Sequence, residues 1–284
     1  MKNSSDSAVR VLRKARVGLL NGIVWMISLS CIFPVIWLLY SSLKTNREFS
    51  QDIISLPAIP QFSNYVRAFT SANLGVLSLN SGFNAVISMG LVILIAFTIA
   101  YLLARFPFKG NRVIYYLFLF GMLIPIHALL VPVFIQFKAM GLFNTRMTLI
   151  FPYVAFNLPF SLFLIEGYIR GIPKDLDEAA FMEGSGIIRT MFSIIFPCTK
   201  PVIVAVALLA FINNWNEYPF ALVLINSQKL KTIPLGLVSF KGEYSTDYPL
   251  QMAGIVIATL PIIGIYLGFN RKIIKGMTEG SVKG

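Results

Sequence analysis

The chain has 284 residues, 56% of them hydrophobic and 13% charged, with a net charge of +12 and a mean hydropathy of +0.75. A water-soluble fold of this composition would be covered in hydrocarbon, so lipid is part of its solvent. The positive charge calls for no nucleic-acid partner, and none is expected, because a basic rim facing anionic membrane lipid accounts for it.

Apolar stretches of about 20 residues, the length that crosses a ~30 Å hydrocarbon layer at 1.5 Å per residue, recur near 17–39, 82–104, 113–136, 147–168, 202–225 and 249–270. Helices are expected throughout, since barrel strands would show alternation over about ten residues. The chain therefore reads as an all-α polytopic membrane protein of about six spans. A cytoplasmic amino-terminal segment covers 1–16, and a membrane domain covers 17–270, with an inner loop at 169–200. A cytoplasmic tail covers 271–284.

The first span is too long for a signal-peptide core and reads as a retained helix. Eight of the 24 Lys and Arg residues, Lys44, Arg47, Arg67, Lys138, Arg146, Lys229, Lys231 and Lys241, then fall in outer loops, and the other 16 fall inside. That asymmetry places both termini in the cytoplasm. His127, between Pro125 and Pro132 in the third span, reads as a hydrogen-bonded packing residue rather than a proton relay. Cys31 and Cys198 read as small apolar fillers, with neither a disulfide nor a metal site expected. Pro152, Asn157 and Pro159 interrupt the fourth span. No phosphate-binding loop, H-E-x-x-H or Gly-x-Ser-x-Gly pattern is present, so the chain is not expected to be an enzyme or to bind a cofactor.

The longest inner loop, between spans four and five, differs from the rest in composition. Pro173 suits a helix start, and Asp175, Asp177 and Glu178 fall where acidic groups favour the positive end of the helix dipole. Leu176, Ala179, Ala180 and Glu183 follow at helical spacing, giving a small-residue face beside an acidic one. Gly184 and Gly186 permit a turn before a second amphipathic segment, 188–196. A helix lying on lipid would carry a basic polar face, so this pair of short helices reads as a docking element for a protein.

Glu178, Ala179, Ala180, then Gly184, then Ile194, Phe196 and Pro197 resemble the EAA loop of bacterial ATP-binding-cassette (ABC) importer permeases, E-A-A-x3-G-x9-I-x-L-P. Only Phe196, where leucine is common, departs. Asn214-Trp215-Asn216-Glu217-Tyr218-Pro219 resembles a fifth-span segment of the carbohydrate-type, maltose-transporter-like branch. Lys275-Gly276-Met277-Thr278-Glu279-Gly280 and the following Ser281, Val282, Lys283 and Gly284 resemble its terminal tail.

The resemblance implies a type I ABC importer permease in the bacterial cytoplasmic membrane, the six-span partner of a second permease. It further implies two cytoplasmic ATPase subunits that carry ATP and Mg and dock at Glu178, Ala179, Ala180, Gly184, Ile194 and Pro197. The tail, residues 281–284, would be a second ATPase contact. An external binding protein would deliver a sugar or oligosaccharide. An ion-coupled secondary transporter and an ABC permease for a non-sugar solute are the alternatives. The residues themselves add that, if the fifth helix continues, Asn213, Asn216, Glu217 and Phe220 share one stripe. Because a carboxylate facing lipid costs at least ~2.5 kcal/mol, the stripe is expected to face the bundle interior or a translocation path. For Glu217, contact with the passing solute and a hydrogen bond between helices both remain open.

Overall fold

The computed structural model describes the backbone of residues 2–240 and 247–281, and the side chains of 17–238, 240 and 247–269. In chain order its helices are α1 (Lys2–Ser41), α2 (Asn46–Gln51), α3 (Ser63–Ser71), α4 (Leu74–Arg105), α5 (Asn111–Gly121), α6 (Leu130–Ala139), α7 (Ile150–Arg170), α8 (Asp175–Met182), α9 (Ile187–Arg189), α10 (Phe196–Cys198), α11 (Lys200–Trp215), α12 (Pro219–Leu224), α13 (Ile233–Leu237) and α14 (Tyr248–Ser281). No strand occurs among the described residues, and the all-α membrane architecture expected from the sequence is the one observed.

Among the described residues, four segments are long and apolar enough to cross a membrane by themselves: Val17–Ser41, α4, α7 and Tyr248–Phe269. The third expected span is instead a pair, Asn111–Gly121 and Ile126–Ala139, bent by 90°. Pro125 sits at the break, where it cannot donate to a preceding carbonyl. His127 lies exposed on the tight turn Ile126–Leu129, which corrects its reading as a packing residue. The fifth expected span consists of α11 and α12, separated by residues 216–218. Upstream, Ile187–Cys198 turns away from α11 by 81°. The two cysteines are unbonded and exposed.

The chain divides into two compact units. The first comprises 1–70 and 240–257. Here Thr45 caps α2: its hydroxyl accepts from the Glu48 N–H at 3.2 Å, and the Glu48 carboxylate accepts the Thr45 N–H at 2.8 Å. This reciprocal pair is a capping box, and the Thr45 N–H holds the Glu48 carboxyl below its ordinary value. Lys44 is fully buried, yet its ammonium donates to the carbonyls of Asp52 and Ile53 at 2.9 and 3.2 Å and to the Ser55 hydroxyl at 3.4 Å. A buried ammonium is tolerable only with such partners. The buried Asn64 amide donates to the carbonyls of Ser42 and Lys44 at 2.9 and 2.8 Å.

The second unit comprises 71–239 and 258–284, and in it α4 packs along α7 and α11. Ser81, Ala85, Ser88, Val92, Ala96 and Ala100, three or four residues apart, are all buried. Between helices in lipid, where there is no hydrophobic drive to associate, small side chains let backbones approach closely. At one end of this seam Asn80 accepts from Arg146 and donates to the carbonyls of Lys229 and Lys231, both at 2.9 Å. At the other end Phe97, Tyr101, Ile165, Ile169, Met191, Ile195 and Val206 form one apolar core. The chain of the inner loop is thus packed into the same core as the spans.

Asn64→Leu leaves two buried carbonyls without donors, at a cost of about 1–3 kcal/mol. Thermal unfolding of the detergent-purified variant is expected at a lower midpoint than wild type. An unchanged midpoint would show that these two bonds contribute nothing net.

Candidate functional site

The inner loop folds as the sequence pattern suggests, and the structure shows what fixes it. Lys174 precedes α8, and Asp175, Asp177 and Glu178 occupy its first turn. The helix ends at Glu183, where Gly184 takes a φ of +81°. The Ser185 N–H reaches the Ala180 carbonyl at 2.9 Å and the Gly184 N–H reaches that of Phe181 at 3.0 Å. This double closure is a Schellman motif, and its left-handed residue favours glycine. The Thr190 N–H then bonds the Gly186 carbonyl at 2.9 Å, and a π-helical turn over Thr190–Ile195 carries the chain to Pro197. The wide turn sets Thr190, Met191 and Ile195 inward.

The acidic start of α8 serves two purposes. Asp177 points inward: its Oδ1 accepts the Tyr101 hydroxyl at 2.8 Å, and its Oδ2 lies 2.9 Å from Arg105 Nε, with side-chain exposures of only 8% and 4%. Charge proximity rather than an aligned hydrogen bond holds that second contact. Arg105 also donates to the Ile172 carbonyl at 3.1 Å. The loop helix is therefore pinned to the end of α4 by a buried ion pair. Glu178 and Ala179 face outward, whereas Ala180 is buried, so the two alanines do not share one docking face. Ile194 packs partly against the core, and Pro197 is exposed. Around Glu178 the outer surface carries Met182, 89% exposed, with Ile187, Ile188 and Phe192 also exposed. An exposed apolar rim of this kind marks an interaction surface. The residue pattern used for the sequence reading missed Tyr101, Arg105 and this rim. The available signal was a lone arginine ending the second span, which needed an acidic partner.

The expected stripe on span five does not form, because α11 stops at Trp215. Pro219 opens α12 at its first turn, where its missing N–H costs nothing. Glu217 lies in the gap and caps the new helix: its carboxylate accepts the N–H groups of Phe220 and Ala221 at 2.5 and 3.1 Å and the Tyr153 hydroxyl at 2.9 Å. Phe220 is buried with its ring 4.8 Å from that of Phe156. Only Asn213 and Asn216 of the four stripe residues are exposed. Asn213 donates to Asn157 Oδ1 at 3.1 Å, and Asn157 donates to Asn214 Oδ1 at 2.9 Å. This amide chain links α11 to α7. Trp215 packs inside the chain, its indole donating to the Ala258 carbonyl at 3.1 Å. Of the tail residues, Ser281 ends the last helix, and Val282, Lys283 and Gly284 lie outside the described residues. Among the described residues no group of three His, Cys, Asp or Glu converges as a metal site would require.

The profile of the family described as binding-protein-dependent transport system inner membrane component matches residues 93–276, a stretch that contains the whole inner loop and both halves of span five. The chain belongs to this family. The permease is 36% identical over 263 residues to a diacetylchitobiose uptake system permease protein of Streptomyces coelicolor, covering 92% of this chain and 86% of that one. It is 34% identical to a trehalose/maltose transport system permease protein of Thermococcus litoralis, covering 95% and 97%. In fold it resembles a chain of a bacterial ABC transporter that imports alginate, with a TM-score of 0.78, 22% identity and coverage of 89% and 95%. The permease is thus a multi-pass inner-membrane component of an ABC importer, and the ion-coupled alternative is not favoured.

Two substitutions probe this geometry. Asp177→Ala strands Arg105 as a buried, unpaired charge, at a cost of about 3–5 kcal/mol. The folded yield after solubilisation is expected to fall sharply, and yield and melting point equal to wild type would refute the pinning role. Glu217→Ala removes three accepted hydrogen bonds and the cap of α12, costing about 1–2 kcal/mol. Glu217→Gln keeps an acceptor and is expected to melt between wild type and Glu217→Ala. A Gln variant as unstable as Ala would show that the negative charge, and not acceptance alone, is what the site needs.

Proposed function

We propose that the permease pairs with a second permease to form a translocation path for a sugar or oligosaccharide delivered by an external binding protein. In this reading two cytoplasmic ATPase subunits, which carry ATP and Mg, dock on the loop around α8, and both termini are cytoplasmic. The observation that carries it is the division of labour in the loop. Asp177 holds α8 to α4 from within, while Glu178, Ala179 and the exposed Met182, Ile187 and Ile188 are left facing outward. A helix free to swing would absorb a partner's movement; one fixed to a span by a buried ion pair passes it on. Glu178 offers a carboxylate to a basic group in the ATPase cleft. Ile194 and Pro197 shape the second half of the loop.

Sugar as the class of solute is supported by the relatives, whose names specify diacetylchitobiose and trehalose or maltose. Asn213 and Asn216, amides exposed at membrane depth, suit hydroxyl-rich solutes, since each amide both donates and accepts. Glu217 and Phe220 support the path by holding the break rather than by lining it. The tail, residues 281–284, is assigned as a second ATPase contact on the strength of the resemblance alone.

Gly184→Asp and Ala179→Trp test the docking assignment. The first strains a position at φ +81°, at roughly 1–3 kcal/mol, and so changes the angle of α8; the second adds bulk on its exposed face. Both variants are expected to insert normally but to copurify less of the ATPase subunits or to uncouple hydrolysis from uptake in vesicles. Normal assembly with normal coupling in both would defeat the assignment.

A further inference from the structure

Beside the loop, but outside the proposed docking surface, lies a cavity of about 650 Å³ at the junction of α4, α5 and α7. Five cations line it and no acidic residue does. Two of the five are already neutralised, Arg105 by Asp177 and Arg170 by Glu166. The other three, Lys109, Arg112 and Lys174, are exposed and have no ion-pair partner among the described residues.

The walls are preformed. The Asn111 amide donates to the carbonyls of Leu103 and Phe106 at 3.0 and 2.9 Å, and Gly110 makes the turn with a φ of +98°. These bonds fix the loop that carries Lys109 and Arg112. Its lip is apolar, with Phe108 and Val113 43% and 67% exposed.

The position in the fold decides what such a site would hold. Arg105 ends one membrane-spanning helix, Asn111 begins a segment of the next, and Arg170 ends another. Three span ends meet only at the depth of lipid headgroups. A site for a free inorganic anion would have no use for exposed Phe108 and Val113, whereas a phospholipid presents a phosphate with methylenes directly beneath it. Basic hollows between spans are suited to anionic headgroups.

We propose that this cavity binds the phosphodiester headgroup of an anionic phospholipid, with Lys109, Arg112 and Lys174 around the phosphate and Phe108 and Val113 against the first methylenes. The assignment is independent of the sugar and of the ATPase. Arg105 would then stand between two anions, Asp177 on one side and lipid phosphate on the other, so a bound lipid borders the ion pair that pins α8.

The test uses the full chain purified in neutral detergent, titrated with phosphatidylglycerol or phosphatidylcholine and read by mass spectrometry of the intact complexes. Wild type is expected to prefer phosphatidylglycerol. The triple variant K109Q/R112Q/K174Q is expected to lose at least about tenfold in affinity, since each surface cation near anionic lipid is worth roughly a factor of five. The control R189Q/K200Q removes two inner-loop cations outside the cavity and is expected to bind as wild type. Equal binding by the triple variant, or an equal loss in the control, would overturn the site. Displacement of the lipid by glycerol 3-phosphate at the same concentration would assign the cavity to free phosphate instead. A triple variant that keeps its lipid but loses ATPase copurification would make it a protein-docking surface.

Discussion

In a hydrocarbon solvent a polar group without a partner costs several kcal/mol, and this constraint shapes the helix seams, the broken fifth span and the buried charges of the permease. The seams between spans are accordingly built from Ser81, Ala85, Ser88 and Ala96, which bring backbones together and bury little polarity. Where α11 stops and α12 begins, a side chain replaces the lost backbone bonds. Glu217 does so for α12, accepting two N–H groups that have no carbonyl in the preceding turn. The same rule fixes where charge is buried. Glu166, 3% exposed on α7, pairs with Arg170 one turn later, and Asp177 pairs with Arg105.

From that rule follows the rigidity of the inner loop. The Asp177 and Arg105 pair could be replaced by apolar packing without loss of stability, since desolvating two charges offsets much of their attraction. A hydrogen bond differs from apolar contact in being directional, and the Tyr101 hydroxyl supplies one to Asp177. Leucine against leucine tolerates sliding by an ångström, whereas a carboxylate that accepts a phenol hydroxyl beside a guanidinium is held along one direction. The Tyr101 hydroxyl at 2.8 Å and Arg105 at 2.9 Å approach the two oxygens separately, which fixes the rotation of α8 as well as its distance from α4. The contribution of these contacts is thus the register of α8 against α4 rather than net stability.

The sequence made the spans legible because length and hydropathy are properties of single segments, and the membrane imposes both. It also located the inner loop, whose Pro173, Gly184 and acidic first turn carry local conformational meaning. What it left unread depends on where helices stop relative to one another. The stripe through Asn213 and Phe220 requires an unbroken helix, whereas the helix ends at Trp215 and restarts at Pro219. The helix-dipole argument treats Asp177 and Glu178 alike and does not separate the inward carboxylate from the outward one. A rotation of about 100° between neighbours sends one to solvent and the other into the core. For the same reason Ala179 and Ala180, adjacent in the motif, have opposite environments. Tyr101 and Arg105 lie more than 70 positions away from Asp177, and no local pattern joins them.

The broken fifth span links the two halves of this argument. Residues 216–218 interrupt the helix at the level where Asn157, Asn213 and Asn214 form their amide chain, so polar side chains gather where backbone regularity is lost. An interruption lets α12 take its own direction, and Phe220, Ala221 and Leu224 pack with Leu149 and Tyr153 in a core separate from that around Tyr101. The Tyr101 core holds the loop, the C-terminal ends of α4 and α7 and the start of α11; the Tyr153 core holds α12, α13 and the start of α7. Both cores draw on α7, which among the described residues has side chains in each. A displacement imposed on the loop through Asp177 therefore has a continuous packed route, along α7, to the capped break at Glu217 and its Tyr153 partner.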